Sequence, residues 1–360
     1  MIISKIKNRN ILFWLTNEIY LKNLDKNIYF IFTVSQNIFM TKRIAVLTSG
    51  GDAPGMNACV RAIIRSGLKS GCDMFVVFDG YKGLVEGKIE QVDRNFVSDI
   101  INRGGTILRS ARLPSFKEEA IQNMAVRQLH DYGIDSLIVI GGDGTYRGAR
   151  ELAHKGINTV GIPGTIDNDI SSTEYTIGFD TCCNTICECV DKIRDTTTSH
   201  QRCTFIEVMG NKCGDLALYS GVAEGVEMII TPDDPISDEN VFAKLKSLKG
   251  GKKKHSLVIV SEKIYPNIFE FVKKVTEATG VETRAEILGH LQRGGSPTAK
   301  DRIEATRFGI AAVKAILDGE SNICLGLHNG KIRRIKIDEA LEMKRENNHE
   351  LLEAIKLVNR

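Results

Sequence analysis

From Lys42 onward the chain repeats one pattern, a short apolar run followed by a stretch with helical spacing, and this alternation limits the fold more than any other feature. The runs are RIAVLTS, DMFVVFD, DSLIVIGGD, NTVGIPG, CTFIEVMG, VEMIITP and HSLVIVSE. Most are apolar at consecutive positions instead of every second one, the pattern of strands covered on both faces. Between them, MNACVRAIIRSGLKSG and IFEFVKKVTEATG space their apolar residues as helices do and end in glycine. Strands alternating with helices predict an α/β protein with mostly parallel sheets, whose ligands collect at the carboxyl ends of the strands. No internal repeat interrupts the pattern, and the Lys-rich KGGKKKH reads as a short loop.

The 360 residues leave room for about two domains. A net charge of +3 and the lack of a long Lys/Arg run argue against nucleic acid as a partner. Nine cysteines, an odd number without a regular framework, fit a reducing cytoplasm. Four of them, Cys182, Cys183, Cys187 and Cys189, crowd into CCNTICEC. A metal site there lacks both a C-x-x-C pair and a histidine, whereas the helical polarity continuing into VDKIRD favours cysteines packed as small apolar residues. The first 39 residues differ in character, being rich in Ile, Asn, Lys and aromatics and broken by charges. They contain neither the ~18 apolar residues of a membrane span nor a signal-peptide cleavage site. Met40 then precedes TKRIAVLTSGGDAPG, which reads as a protein starting on its first strand. Residues 1–39 are therefore expected to stand upstream of the fold, with a targeting or interaction segment as the alternative.

Three strand ends carry polar, glycine-rich loops: LTSGGDAPGMN (Leu47 to Asn57), VIGGDGTYRG (Val139 to Gly148) and PGTIDND (Pro163 to Asp169). Clustered glycines let backbone approach phosphate oxygens, and the following helix start supplies free N–H groups. Each loop could be a tight turn alone, but two such loops with an acidic third point to phosphate chemistry. Gly142, Gly144 and Gly148 form G-x-G-x-x-x-G, a weak dinucleotide signal. Asp143 inside that loop would repel a bare pyrophosphate and becomes useful with Mg²⁺ between them. The P-loop pattern G-x-x-x-x-G-K-[ST] does not occur.

The segments TSGGDAPGMNA, GYKGL, GGT…SAR, VIGGDGT, PGTIDNDI, YTIGFDT, SHQR, EVMG, ETRAEILGHLQRGGSP and DR, in this order over roughly residues 40 to 345, resemble the ATP-dependent 6-phosphofructokinases, bacterial type. The resemblance implies two Rossmann-like three-layer domains and transfer of the γ-phosphoryl of MgATP to the 1-hydroxyl of fructose 6-phosphate. Asp167 would be the general base, with Thr165 and Arg112 as further catalytic groups. Alternation of Thr165, Asp167 and Asp169 would point them to one side of an extended loop. Asp143 would hold Mg²⁺, and Gly51, Arg112, Gly144 and Thr145 would bind ATP. Thr165, Asp167, Asp169, Arg202, Met209, Glu262, Arg284, His290 and Arg293 would bind the sugar phosphate. The planar fork of arginine suits phosphate.

By the same resemblance, residues 40–177 with about 293–345 would bind ATP, and residues 178–292 with about 346–360 the sugar phosphate. Arg61, Arg65, Arg194, Glu227, Lys252, Lys253 and Lys254 would bind an effector, ADP or phosphoenolpyruvate; a solvated basic surface is the alternative. A homotetramer with sites shared between subunits is implied, Arg202 and Arg284 coming from the neighbour. Pyrophosphate-dependent relatives carry an acidic residue at the position of Gly144 and a lysine at that of Gly164, so the glycines here favour ATP. One departure stands out: Asn211, followed by Lys212, occupies a position that is often arginine in the family. A pyrophosphate-dependent enzyme and a non-catalytic nucleotide or sugar-phosphate sensor remain the alternatives.

Overall fold

The computed structural model describes residues 41–249, 254–345 and 349–358. The reading of residues 1–39 as an upstream extension, and the effector assignments of Lys252 and Lys253, lie outside the described residues.

The strands are β1 (Arg43–Thr48), β2 (Asp73–Val77), β3 (Ile89–Val92), β4 (Ser136–Gly141), β5 (Asn158–Pro163), β6 (Cys203–Val208), β7 (Met228–Ile230), β8 (Ser256–Ser261), β9 (Thr283–Ile287), β10 (Ile323–His328) and β11 (Lys331–Lys336). The helices are α1 (Met56–Lys69), α2 (Gly80–Val85), α3 (Glu119–Asp131), α4 (Asp143–His154), α5 (Phe179–His200), α6 (Asp215–Glu224), α7 (Asp238–Lys249), α8 (Ile268–Thr279), α9 (Ala299–Leu317), α10 (Ile337–Glu342) and α11 (His349–Val358). All seven apolar runs are strands, and the two helical stretches are α1 and α8. Asn267 caps α8, its side chain accepting from Phe269 N at 3.1 Å and Glu270 N at 3.2 Å. Gly280 closes the helix at φ 64°, a left-handed turn that a side chain would strain.

Among the described residues the strands form two sheets, one of seven in the order β11-β10-β5-β4-β1-β2-β3 and one of four in the order β7-β8-β6-β9. The smaller is parallel throughout, and the larger is antiparallel at its two margins, β2 with β3 and β10 with β11. Ile44 and Val46 of β1 pack into one apolar cluster while Ala45 and Leu47 pack into another, so the large sheet is covered on both faces. Ile206 and Val208 of β6 join the first of these clusters, and Cys203 and Phe205 join a third. One core thus runs from a face of the large sheet to a face of the small one. The α/β class with mostly parallel sheets holds.

Helices α5 and α9 are pinned by Asp301, which is fully buried. Its carboxylate accepts from Tyr175 Oη (2.5 Å), Gly178 N (2.7 Å), Thr181 N (2.8 Å) and Thr181 Oγ1 (2.5 Å). Burial still holds this carboxyl above its ordinary range, against the pull of those donors. On the same helix α5, Cys182 is buried and Cys183, Cys187 and Cys189 are half-buried. Desolvation raises the four thiols, and among the described residues no group of three or more His, Cys, Asp or Glu could hold a metal ion. Their burial fits cysteines packed as small apolar residues. No described helix is long and apolar enough to cross a membrane.

Candidate active site

Strand β1 has β2 on one side and β4 on the other, so the chain reverses its direction of winding between β1 and β4. The loops leaving the carboxyl ends of such a pair splay apart and open a crevice. Here a cleft of about 1230 Å³ opens at that place, lined by the first two glycine loops and by the acidic third. Gly51, Arg112, Asp143, Gly144, Thr145, Thr165, Asp167, Asp169 and Arg293 all face it.

The glycines have different local reasons. A Cβ on Gly51 would lie 2.3 Å from Arg293 Nη1, so the missing side chain admits that guanidinium, which also donates to Asp52 O at 3.3 Å. Gly144, in the first turn of α4, has nothing within 4 Å of where its Cβ would stand. That space belongs to the cleft. Thr145 is buried with its hydroxyl unpartnered, and Tyr81, stacked on Phe116 with ring centroids 4.4 Å apart, donates from its hydroxyl to Thr145 O at 2.6 Å.

The third loop leaves β5 and carries the acidic groups. Thr165 Oγ1 accepts from Asp167 N at 3.2 Å and donates to Asp167 Oδ2 at 3.3 Å. Asp167 is 8% exposed, and its Oδ1 is buried without a hydrogen-bond partner. Burial, then the neighbouring negative charge of Asp169, raises its pKa to about 6, with Arg293 opposing and Glu262 adding to the shift. The loop is not extended as the alternation suggested, because Asn168 adopts a left-handed backbone, φ 51°. Its amide stabilises that turn by accepting from Thr176 N at 3.0 Å, and Thr165, Asp167 and Asp169 still share the cleft. Asp143 opens α4, and its carboxyl is held above the ordinary range by burial and then by Asp169.

The small sheet supplies the opposite wall. Glu262 follows β8, and Asn211 N donates to its Oε1 at 2.8 Å. Asn211 Nδ2 donates to Asp169 Oδ2 at 3.1 Å, while Lys263 Nζ donates to Asn211 Oδ1 at 2.9 Å. Lys212 lines the cleft beside Asn211. Met209 follows β6 and donates its N–H to Gln292 Oε1 at 3.1 Å, which docks the turn Gly289–Arg293, with His290 and Arg293, against the same strand end.

Arg202 and Arg284 are not with them. Arg202 precedes β6 whereas Met209 follows it, and the seven intervening steps of extended chain span roughly 20 Å. Arg284 is the second residue of β9, paired in parallel register with Thr204, and its side chain forms an ion pair with Glu282 at 2.9 Å. Both arginines therefore stand at the amino end of the sheet and the cleft at its carboxyl end. Arg202 keeps a buried Nε without a hydrogen-bond partner.

The described residues expected to bind an effector also stand outside the cleft lining. Arg61 and Arg65 share a face of α1, and desolvation, then Arg61 and Arg94, lowers the Arg65 pKa. Arg94 is a basic neighbour that sequence spacing did not single out. Arg194 donates to Glu224 Oε2 at 2.9 Å, Glu227 accepts from Leu257 N at 2.7 Å, and Lys254 is exposed.

A doubly wound sheet with glycine loops at its switch point and a buried carboxylate facing them defines an α/β protein of the phosphate-handling class. Residues 43–316 match the family model Phosphofructokinase. The ATP-dependent 6-phosphofructokinase 1 of Clostridium perfringens is 48% identical over 319 residues, which cover 89% of this chain and all of that one. The ATP-dependent 6-phosphofructokinase of Photobacterium profundum is 49% identical over 315 residues, 87% of this chain and 98% of its own. The solved structure of phosphofructokinase from Saccharomyces cerevisiae superposes with a TM-score of 0.80 at 34% identity, covering 89% of this chain and 47% of that longer one. The chain belongs to the phosphofructokinase family.

Proposed function

We infer that the chain is an ATP-dependent 6-phosphofructokinase, a phosphotransferase that moves the γ-phosphoryl of ATP to the 1-hydroxyl of fructose 6-phosphate and releases ADP. The observation that carries this reading beyond family membership is the buried Oδ1 of Asp167, left without a hydrogen-bond partner on a residue that lines the cleft together with the glycine loops. An acceptor left open at such a place fits a substrate hydroxyl.

Asp167 takes the hydroxyl proton, and a pKa near 6 keeps it ionised at neutral pH yet basic enough to serve. Thr165 holds the other carboxylate oxygen and so fixes the base in place. Gly51, Gly144 and Thr145 receive the ATP phosphates, and Arg112 with Lys212 offers positive charge where the migrating phosphoryl spreads its negative charge. Asp169, Met209, Glu262, His290 and Arg293 surround the sugar.

The residues present also fit Mg²⁺. Asp143 and Asp169 both line the cleft and the negative charge of Asp169 raises the Asp143 carboxyl, a pair suited to an ion bound through one or two carboxylates plus substrate phosphates. Asp143 would hold it. When bound, it would neutralise the negative charge of the ATP phosphates.

Residues 40–177 with about 293–345 serve ATP, and residues 178–292 with about 346–360 serve the sugar phosphate, a division supported by the two sheets. Residues 1–39 stand upstream, in keeping with a family match that begins at residue 43. The placement of Arg202 and Arg284 supports a homotetramer in which these two arginines reach a neighbouring subunit's sugar phosphate. Arg61, Arg65, Arg194, Glu227 and Lys252 to Lys254 are assigned to an effector, ADP or phosphoenolpyruvate, in a cytoplasmic enzyme.

A coupled assay for ADP with fructose 6-phosphate tests the reading. Turnover with ATP and at most a trace with pyrophosphate is expected. Equal rates with pyrophosphate overturn the donor assignment, and no turnover with either donor leaves a nucleotide and sugar-phosphate sensor.

A further inference from the structure

Asn168 follows the base directly in the chain, and its left-handed backbone makes the direction of the Asp167 side chain depend on what holds the Asn168 amide. Three residues hold it: Thr176, Asp215 and, through a longer bond from Nδ2 to its carbonyl oxygen at 3.4 Å, Glu174. Its Oδ1 accepts from Thr176 N at 3.0 Å and from Thr176 Oγ1 at 3.3 Å, bonds within its own loop. Its Nδ2 donates to Asp215 Oδ2 at 2.7 Å, a bond 47 residues away in sequence, to the first residue of α6 on the small-sheet side.

Asp215 is 5% exposed. A carboxylate so buried needs a cation beside its amide partner to stay in place. Its Oδ1 pairs with Arg345 Nη2, and Arg345 Nη1 lies 3.8 Å from Asp233 Oδ2. Asp233 Oδ2 also accepts from Gly214 N at 3.1 Å, the residue before Asp215. One guanidinium nitrogen thus holds Asp215, and the other stands near Asp233, which holds the residue before it. Arg345 lies past α10, outside both sheets, and it also lines the cleft.

We propose that Arg345 is a positioning residue for proton abstraction: by fixing Asp215 it fixes Asn168, and through it the direction in which Asp167 faces the substrate hydroxyl. The proposal rests on the assignment of Asp167 as the base. It makes the C-terminal segment part of the reaction machinery, although none of its residues needs to touch the sugar.

The test uses the full chain with Arg345→Gln, Arg345→Lys and the double variant Asp215→Asn/Arg345→Gln. Steady-state kinetics with MgATP and fructose 6-phosphate are normalised to the number of ATP-binding sites per chain. Arg345→Gln is expected to lower kcat roughly 10- to 100-fold, the scale of a small misplacement of a reacting group. KM for ATP is expected to move less than about threefold. The double variant is expected to regain at least about fivefold over Arg345→Gln, because an amide at position 215 still accepts from Asn168 without requiring a cation. Arg345→Lys keeps the charge without the fork and is expected between wild type and Arg345→Gln.

Full kcat in Arg345→Gln overturns the proposal. So does a raised KM for ATP at unchanged kcat, which would make Arg345 a phosphate contact, and so does a loss confined to the number of binding sites, which would make it structural. A double variant no better than Arg345→Gln also overturns it. Wild-type chain without phosphoryl transfer, or Asp167→Asn at full kcat, overturns the assignment of the base and the proposal together.

Discussion

Thr165 and Asp167 bond each other twice, the threonine hydroxyl accepting from the aspartate N–H at 3.2 Å and donating to its Oδ2 at 3.3 Å, so one carboxylate oxygen is held and the other is left open. A base presented in this way must be ionised to act. With its pKa raised to about 6 by burial and Asp169, kcat/KM for the sugar phosphate is expected to be level above neutrality and to fall tenfold per pH unit below about 6. Initial rates at subsaturating substrate between pH 5 and 8 measure it. A level profile down to pH 5 would exclude Asp167 as the titrating base.

Replacing Asp167 by Asn should lower kcat by ~10² to 10⁴ with a much smaller change in KM. The same change should raise stability, with a defined sign. The folded-state pKa lies above the ordinary aspartate value of 3.8, so the folded protein binds the proton more tightly and this carboxyl destabilises the fold increasingly as pH rises from about 4 to about 6. Above that window the full cost, roughly 2–4 kcal/mol, is removed by Asn. Thermal melts should show the variant more stable at pH 7.5 and level with wild type near pH 4.

Gly144 and Gly164, which together distinguish the ATP-type pattern, should respond differently to substitution. Gly144→Asp enters open space, so Tm should hold while KM for ATP rises roughly 10- to 100-fold from charge repulsion. A Cβ on Gly164 would lie 2.9 Å from Ile140 Cγ2 and 3.2 Å from Met56 Cε. Gly164→Lys should therefore lose about 1–3 kcal/mol of stability by overpacking. Calorimetry alongside ATP titration separates the two effects.

Arg202 and Arg284 stand a strand's length from the cleft of their own chain. Asp167→Ser and Arg284→Ser, each inactive alone, should regain partial activity when unfolded together and reassembled, because some hybrid sites unite an intact base with an intact arginine. Hybrids confirmed by native mass spectrometry yet inactive would rule out the shared site, as would a fully active monomer.

The local parts of this design were legible in the sequence. Continuous apolar runs marked the buried strands, and the glycine loops and PGTIDND marked the cleft, since each signal lies within about ten residues. The strands that escaped notice carry weaker patterns. IEQV in β3 exposes its two central residues, TRAEI in β9 is mostly exposed, KIRRIK in β11 is a charged sheet margin, and ICLGLH in β10 has Gly326 in its middle. Asp301 and Arg345 were illegible in another way, because their roles come from partners far along the chain, Tyr175 in one case and Asp215 in the other. The left-handed Asn168 was hidden within a motif that alternation made look extended.

Helix α5 begins beside Asp301 and ends two residues before Arg202, with Arg194 in its last turns. Its 22 residues make a rod of about 33 Å. Insertion of one residue between Cys182 and Arg194 would advance everything beyond by about 1.5 Å and rotate it by about 100°. Cys182 would keep its place in the core while Arg194 turned away from Glu224 and Arg202 left the start of β6. The length of this helix is thus a ruler on which gaps are forbidden though many residue types are allowed, and drift among descendants of this gene should leave substitutions there and no indels.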